Sequence, residues 1–421
     1  MLNLKFNPAI SWLGLISVLA TGQATANCYT PNQMATAGAL GSLYRSLYKN
    51  IDFPPGIGID PPYQYPIDQP FPTPIGTGNN YDYECDSSLL QSITPDQVFA
   101  MGSLATRVNG GKITQPSDYF GLKPGQKMGS GAGDADFPPL SFWSKIDSDF
   151  GSTGTTVSES GYDFNNHNFM FGADYRLLDN WVAGGSFAYR HNTAEFDAGR
   201  GETTNDTYTG TIYTAYNITD AAYVNASASY GGFSYDTRRN ITFFGDTATP
   251  QTSTAKATPD GGQYAFSWGG GYDFRHHGLT VSPYARGEYM NLDIDAYSES
   301  GSDLAMRFGE QNIESLISTV GVQTNYVFSF PWGVLIPQLR GEWHHQFMDG
   351  RRQLETGFVN DSSNQTFTLA SDGATRDYYT FGAEVSSVFQ GGISAFLAYE
   401  TLQGYSAVNS NKLMLGARLE F

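Results

Sequence analysis

The 421-residue sequence predicts an all-β fold, a twelve-stranded antiparallel up-and-down barrel that crosses a membrane. Three observations lead to this prediction. Apolar and polar residues alternate with period two from about residue 138 onward, short turns and long polar loops follow each other regularly, and the last strand has one apolar and one polar face. A barrel in lipid needs this division, because its outer surface meets acyl chains while its lumen holds water. A soluble secreted β-protein is the alternative.

Residues 1–26 are predicted to be a secretory signal peptide. Lys5 is followed by an apolar run over residues 9–20 and then by Ala24-Thr25-Ala26, a small-x-small cleavage site. The run is too short to span a bilayer, and no later stretch approaches the roughly 18 consecutive apolar residues of a membrane-spanning helix. The chain is therefore expected to be exported and to enter a membrane as strands.

Residues 27–85 are predicted to form a short helical and proline-rich N-terminal segment. Eight prolines between residues 51 and 80 exclude a regular helix there, so this stretch is expected to be an extended spacer. Cys28 and Cys85 are the two cysteines of an exported chain and are predicted to form a disulfide. The helix precedes the spacer, and its apolar residues at helical spacing are Ala37, Leu40, Leu43, Tyr44 and Leu47.

Residues 86–137 are predicted to contain a pore helix and a linker. Thr94 has the properties of an N-cap, with Pro95 at the first helical position, and Asn109 followed by two glycines is a stop signal. Gly102 and Ser103 keep the helix slim, so it fits a narrow space such as a barrel lumen. An ordinary helix on a small globular lobe is the alternative. The apolar stripe consists of Val98, Met101, Ala105 and Val108.

Residues 138–421 are predicted to form the barrel. Short connections at 178–180, 218–220, 276–278, 330–332 and 390–391 alternate with longer polar loops, as in a barrel with tight periplasmic turns and larger external loops. The long loops are expected at 151–161, 196–203, 239–259, 296–311, 350–375 and 404–409. The twelve strands are expected at 138–150, 162–177, 181–195, 204–218, 221–238, 260–275, 279–295, 312–329, 333–349, 376–390, 392–403 and 410–421.

Charged residues on one strand face are predicted to line the lumen. An Arg–Glu row is costly in a soluble core but not against water, so the polar faces of these strands are expected to point inward. The predicted lumen residues are Arg286, Glu288, Arg340, Glu342 and Arg418. On the last strand, the apolar face that is expected to meet lipid includes Leu415, Leu419 and Phe421.

Several of these segments resemble the autotransporter (type V secretion) β-domain. Residues 171–189 resemble its second and third strands, 279–285 and 335–344 resemble later strands, and 419–421 resemble its terminal assembly signal, to which Leu415 is also assigned. The resemblance implies a Gram-negative outer-membrane translocator barrel with a helix in its pore. It also implies insertion by the barrel-assembly machinery, contact with periplasmic chaperones, outer-membrane lipid and lipopolysaccharide, and a monomeric state. The departure is upstream, because residues 27–137 show no β-helix repeats.

Two functions remain open at this point. The first is a translocator barrel that carries or anchors its own short N-terminal segment, which would act as a surface adhesin or cap. The second is a porin-like channel plugged by its N-terminal helix. Because the chain has a net charge of −18, nucleic acid is excluded as a partner.

The sequence predicts no catalytic residues, no cofactor and no metal site, and therefore no enzyme. It contains no Gly-x-Ser-x-Gly, His-Glu-x-x-His or P-loop motif, nor the Gly-Asp-Ser nucleophile of autotransporter esterases. A rim protease pairing Asp295 with His191 is a weak hypothesis. The resemblance also makes Asn109 a candidate for self-cleavage, although a helix C-cap explains it as well. Adjacent histidines, 276–277 and 344–345, are expected to diverge and not to chelate a metal.

Overall fold

A computed structural model describes residues 30–47, 92–109, 140–244 and 250–420. The predicted signal peptide, the proline-rich spacer, Cys28, Cys85 and Phe421 lie outside the described residues. Two α-helices are described along their whole length, α1 (Pro31–Leu47) and α2 (Val98–Asn109), and residues 92–93 are also helical. Neither of them has the length and apolar character that a membrane-crossing helix requires.

Twelve long antiparallel strands close into a barrel, which confirms the predicted fold class. The last strand pairs with the first, and the remaining gap is closed by a ladder between residues 279–294 and 311–326. Because these ladders close the ring, each of the twelve long strands is paired on both sides, as a membrane barrel requires. These strands are β1 (Leu140–Thr153), β2 (Tyr162–Leu178), β3 (Trp181–Phe196), β4 (Gly201–Asn217), β5 (Ala222–Phe244), β7 (Asp260–Tyr272), β9 (Leu279–Ile294), β12 (Gln311–Tyr326), β14 (Gly333–Gln346), β17 (Asp377–Phe389), β18 (Ile393–Gln403) and β19 (Val408–Glu420).

Shorter strands extend the two ends of the barrel. At the end with the short turns, which we call the turn end, β8 (Phe274–His276) and β13 (Phe328–Phe330) lengthen two hairpins. At the opposite end, the loop end, β6 (Pro250–Ala257) pairs with the upper part of β5. A separate four-stranded sheet also lies there, made of β10 (Tyr297–Ser298), β11 (Met306–Phe308), β15 (Gln353–Phe358) and β16 (Phe367–Ala370).

The structure corrects three of the predicted polar loops. Segments 239–259, 296–311 and 350–375 contain β5–β6, β10–β11 and β15–β16, respectively. Their strands are only two to eight residues long except for β5, so the period-two pattern was too short to recognise in the sequence. The surface lobe is the name we give to α1, which packs on β15 and β16, together with the short strands β6, β10, β11, β15 and β16.

Two aromatic girdles mark the membrane on the outer wall. Trp181 and Tyr189 of β3 are eight residues apart, as are Tyr208 and Tyr216 of β4. At about 3.3 Å per residue and a tilt of about 40°, this spacing corresponds to roughly 20 Å across the membrane. The loop-end girdle continues with Phe169, Tyr230, Tyr264, Trp343, Tyr379 and Tyr399, and the turn-end girdle with Tyr175, Tyr272, Phe274, Tyr326, Trp332 and Phe389.

A hydrophobic core at the loop end joins the surface lobe to the barrel. It combines residues of both helices, the upper inward faces of the barrel strands and the four-stranded sheet. Burying aliphatic and aromatic side chains in this way gives the loop end the interior of a soluble domain. Its members include Leu40, Leu43, Ile93, Phe99, Met101, Phe233, Tyr235, Leu292, Ile294, Met306, Leu354, Phe358 and Leu369.

Candidate functional site

The mouth of the barrel at the loop end holds residues 92–103, which we call the plug. Ala100 packs among aromatic residues from the inward faces of β2 and β3. Val98, Phe99 and Met101 pack against inward residues of β5, β9 and β12. The plug therefore occupies the inside of the barrel wall above the loop-end girdle. The aromatic residues around Ala100 are Tyr162, Phe164 and Phe196.

Within the plug, a turn at residues 95–97 precedes the α-helix, which corrects the predicted start of the pore helix. Residues 95–97 accept i→i+3 hydrogen bonds from Val98, Phe99 and Ala100 at 3.0–3.3 Å, and the α-helix begins at Val98. The predicted cap at Thr94 lies one turn earlier. Residues 86–91 and the side chains of Ala105 and Val108 lie outside the described residues, whereas Val98 and Met101 are buried.

Arg200, the residue before β4, binds the turn of the plug. Its guanidinium donates to the carbonyl oxygen of Thr94 at 3.1 Å and to the Asp96 carboxylate at 2.9 Å. Ser160 donates to the same carboxylate at 2.6 Å, and the Gln97 side chain donates to the Arg200 carbonyl at 2.9 Å. Burial raises the pKa of Asp96 above 3.8, although the nearby Arg200 opposes this shift.

Arg239 of β5 connects the plug to the surface lobe. It forms a two-point ion pair with Glu299, with distances of 2.9 and 2.5 Å, and both side chains are about 95% buried. The same guanidinium donates to the carbonyl oxygens of Ile93 in the plug and Leu304 in the lobe, at 3.0 and 3.2 Å. One buried cation thus satisfies groups of the plug and of the surface lobe, and such a charge is tolerated because each of its three guanidinium nitrogens has an acceptor.

Two further side chains hold the helical part of the plug. Arg352 donates to the Phe99 carbonyl at 3.1 Å and to the Ser103 hydroxyl at 3.2 Å, and it lies 5.6 Å from the centre of the Phe99 ring. The Tyr235 hydroxyl donates to the Met101 carbonyl at 2.9 Å. These groups, together with Arg200 and Arg239, give four plug carbonyls a donor from the wall or the loops.

Gly102 of the plug helix lies in close contact with a loop residue and a residue of the barrel wall. A Cβ atom at this position would collide with the Arg352 guanidinium and the Ile313 side chain. At Gly38 of α1, by contrast, nothing lies within 4 Å of an added Cβ. The plug helix can approach the wall this closely because residue 102 has no side chain.

Asn32 fixes α1 to the edge of the four-stranded sheet. Its carboxamide donates to the Ala370 carbonyl and accepts from the Ala370 amide, both at 2.9 Å, as a neighbouring strand would. It also donates to the carbonyl of Ser158 at 2.9 Å. The helix face with Leu40 and Leu43 is buried, while the side chains of Tyr44 and Leu47 lie outside the described residues.

The predicted lumen residues lie on inward faces of the wall. Arg286 contacts Glu288 at 3.1 Å and Glu342 at 3.5 Å, and Arg340 contacts Glu400 at 2.7 Å. Arg418 contacts Asp174 at 2.7 Å. Each cation therefore has a carboxylate from its own or a nearby strand. Leu415 is exposed on the outer face of β19, and Leu419 is half-buried.

A cavity of about 510 Å³ remains beside the plug. The plug packs against β2, β3, β5, β9 and β12, and the cavity extends from β12 along β14, β17, β18 and β19 to β1. The mouth is therefore filled asymmetrically. Residues that border the cavity include Ser103 of the plug and Asp149, His344, Tyr378, Glu400 and Tyr405 of the wall and loops.

The weak hypothesis of a rim protease does not match the structure. His191 lies on the outward face of β3 and contacts Asp206 of β4 at 2.8 Å, whereas Asp295 follows β9, with β4, β5 and β7 between the two strands. Asn109 ends α2, and its side chain lies outside the described residues. Within the described ranges, no group of three or more His, Cys, Asp or Glu residues is arranged to hold a metal.

The two histidine pairs behave differently. His344 faces inward to Thr319 and Thr380, and His345 faces outward to Asp377, so this pair diverges as alternation requires. The same expectation is wrong for His276 and His277, whose rings converge because they lie in a turn.

Sequence reasoning missed the residues that hold the plug and α1. Arg200, Arg239 and Arg352 lie in or next to segments predicted as polar loops, where a cation looks like an ordinary surface residue. The chain has only 23 Lys and Arg against 41 Asp and Glu, and this scarcity of cations was a weak signal that an individual arginine forms a specific ion pair. Asn32 gave no signal at all.

The family model described as Autotransporter beta-domain matches residues 142–400. Lipase 1 of Photorhabdus luminescens is 26% identical over 236 residues, covering 52% of this chain and 34% of that protein. Esterase EstA of Pseudomonas aeruginosa is 25% identical over 228 residues, covering 52% and 33%. The chain thus spans about a third of the length of these relatives. The translocator domain of autotransporter NalP from Neisseria meningitidis has a TM-score of 0.58 at 15% identity, over 77% of this chain and 99% of that one.

Proposed function

Because this chain belongs to the autotransporter β-domain family and forms its outer-membrane translocator barrel, we propose that it anchors its own N-terminal segment as a folded cap over the outer mouth. The observation that carries the proposal is the position of residues 30–47 and 92–103. Both are joined to the loop end of the barrel by hydrogen bonds to wall and loop residues. The turn end then faces the periplasm and the loop end faces the outside.

The contacts favour an anchored cap over a chain in transit. The plug shares its hydrophobic core with the surface lobe, so the lobe cannot complete its interior until the plug has arrived. The two-point Arg239–Glu299 pair and the Asn32–Ala370 pair join segments that are far apart in sequence. Such specific and buried contacts hold a segment in one place. They support a translocator whose short N-terminal segment remains at the surface, as an adhesin or cap, rather than an open porin-like channel.

Surface labelling tests the position of the cap. In a background with Cys28 and Cys85 replaced by Ser, we expect Met34→Cys to react with a polyethylene-glycol maleimide in intact cells. Met34 is 49% exposed, and Val157→Cys, at a 63% exposed loop-end site, is the positive control. Ile218→Cys, at a 58% exposed turn-end site, should react only after the outer membrane is permeabilised. If Met34→Cys reacts like Ile218→Cys, the cap is not at the surface and the proposal fails.

The matched family domain is a translocator barrel and not a catalytic domain. We further propose that this chain is not itself a lipase or esterase, because no Gly-Asp-Ser sequence occurs in it. Purified protein should leave p-nitrophenyl butyrate unhydrolysed, and turnover that is blocked by a serine-directed fluorophosphonate would contradict this.

A further inference from the structure

The hairpin between β8 and β9, at the turn end of the barrel, ends in two adjacent histidines. His276 pairs with Leu279, so His277 and Gly278 form a two-residue turn. Their φ angles are 49° and 87°, which is the left-handed conformation of a type I′ turn. Gly278 adopts it without strain, while a non-glycine residue does so only uncommonly. This backbone turns the His277 side chain out of the strand alternation.

The consequence is that the two imidazoles meet. The Nε2 atom of His276 and the Nδ1 atom of His277 are 2.7 Å apart, and the ring centres are 4.1 Å apart with the planes at 76°. Both residues are exposed, and neither ring is buried against the wall. Asp273 and Arg275 pair with each other at 3.0 Å, so their charges are partly balanced.

This spacing is the one expected for two ligands of a single metal. Imidazole nitrogens bind first-row metals at about 2.0 Å, so two that are about 90° apart lie about 2.8 Å from each other. A tetrahedral metal would need about 3.3 Å. The observed spacing therefore fits the tetragonal geometry of Cu(II), which also has the highest affinity of the divalent first-row metals for nitrogen ligands.

We propose that His276 and His277 chelate a divalent copper ion at the turn end of the barrel. Without metal, one ring donates its N–H to the other. With metal, only the donating ring moves its proton to its far nitrogen, so that His276 carries its proton on Nδ1 and His277 on Nε2; both facing lone pairs then bind copper and no net proton is released. Water fills the remaining positions, since within the described residues no third His, Cys, Asp or Glu joins the pair.

Copper titration of the untagged, full-length barrel in detergent, with its thiols alkylated, tests the site. The parent protein should bind one equivalent of Cu(II) that His276→Ala and His277→Ala both lose, with affinity reduced at least tenfold. Electron paramagnetic resonance at one equivalent should show hyperfine coupling to two nitrogens in the parent only. His345→Ala is the matched control, because that histidine belongs to the diverging pair, and it should bind copper like the parent.

Heat-modifiable migration on gels shows that each variant is folded. If either single variant keeps the parent's copper affinity and two-nitrogen signal, the site is not this pair. If Zn(II) binds at least as tightly as Cu(II), the tetragonal geometry is wrong and the proposal is overturned. Neither result affects the proposed cap, since the labelling of Met34→Cys does not involve copper.

Discussion

The barrel wall inside the membrane and the wall above it are made of the same strands, yet their faces have opposite polarity. In β5, outward residues below Tyr230, on the membrane side, are apolar and inward residues are polar, whereas from Phe233 upward the outward residues are polar and most inward ones are apolar. The residues that show this are Val224, Ala226, Asn225 and Ser227 below, and Ser234, Asp236, Tyr235 and Ile241 above.

Strand β9 repeats the inversion. Its inward face changes from Glu288 to Leu292 and Ile294, and its outward face from Pro283 to Asp293. Below the loop-end girdle the outside is lipid and the lumen is wet, while above it the outside is water and the plug fills the interior. The comparison shows that one strand can match two different environments along its length, and that the position where its polarity inverts marks the edge of the membrane.

The largest effect should come from the buried cation of the upper region. Arg239→Met leaves the buried Glu299 carboxylate without its cation, with the Met306 N–H as its remaining donor, and breaking such a pair costs about 3–5 kcal/mol. Hydrogen exchange should rise more than 100-fold in residues 92–103 and β10–β11, and stay unchanged in the membrane part of β3 and β4. Adding Glu299→Gln should restore much of the protection. Equal exchange in the single and double variants would mean that the charge pair does not hold the two parts together.

The outward face offers a direct test of the membrane edge. Ile212 is 70% exposed on the lipid side of β4, so Ile212→Arg should destabilise the barrel in vesicles by about 2–4 kcal/mol. Thr204→Arg, on the same face above the girdle, should change stability by less than about 0.5 kcal/mol. Urea unfolding followed by tryptophan fluorescence measures both. Equal losses would contradict the position that we assign to the edge.

A larger side chain on the plug helix should disturb its packing against the barrel. Gly102→Leu should improve helix propensity by about 1 kcal/mol, yet it places a side chain against Arg352 and Ile313. Overpacking costs about 1–3 kcal/mol, so the plug should be displaced more often and single-channel openings should increase. Gly38→Leu in α1 meets open space and is the matched control. Openings that do not differ between the two variants would exclude residue 102 from the constriction.

The smallest effect concerns the pH dependence of the plug. Because burial raises the pKa of Asp96 above 3.8, the folded mouth binds this proton more tightly than the unfolded chain does. Its contribution to stability is therefore present at low pH and is lost as the pH rises through the raised pKa. Exchange protection of the Ala100 amide, corrected for intrinsic rates, should fall more steeply with pH in the parent than in Asp96→Asn. Parallel pH profiles would show that Asp96 does not titrate in this way.

Much of the barrel could be predicted because its signals are local. Alternation in segments such as 279–289 and tight turns such as 178–180 report the strands and their connections one at a time. The cap could not be predicted, since Arg352 and Asn32 act on partners 253 and 338 residues away. The sheet of the surface lobe was missed for a second reason, because strands such as β10 and β11 are too short to show a period.

The sequence by itself determined the twelve strands, their connectivity and the lipid-facing and polar faces, because each depends on neighbours within one strand or turn. Only the tertiary structure decided what the upper ends of the strands enclose. Phe233, Leu292 and Ile294 point inward, where a water-filled lumen would favour polar residues. Their apolar character is explained only by the plug that packs against them. Their partners come from distant parts of the chain, and burial between distant segments is a property of the folded molecule rather than of any local pattern.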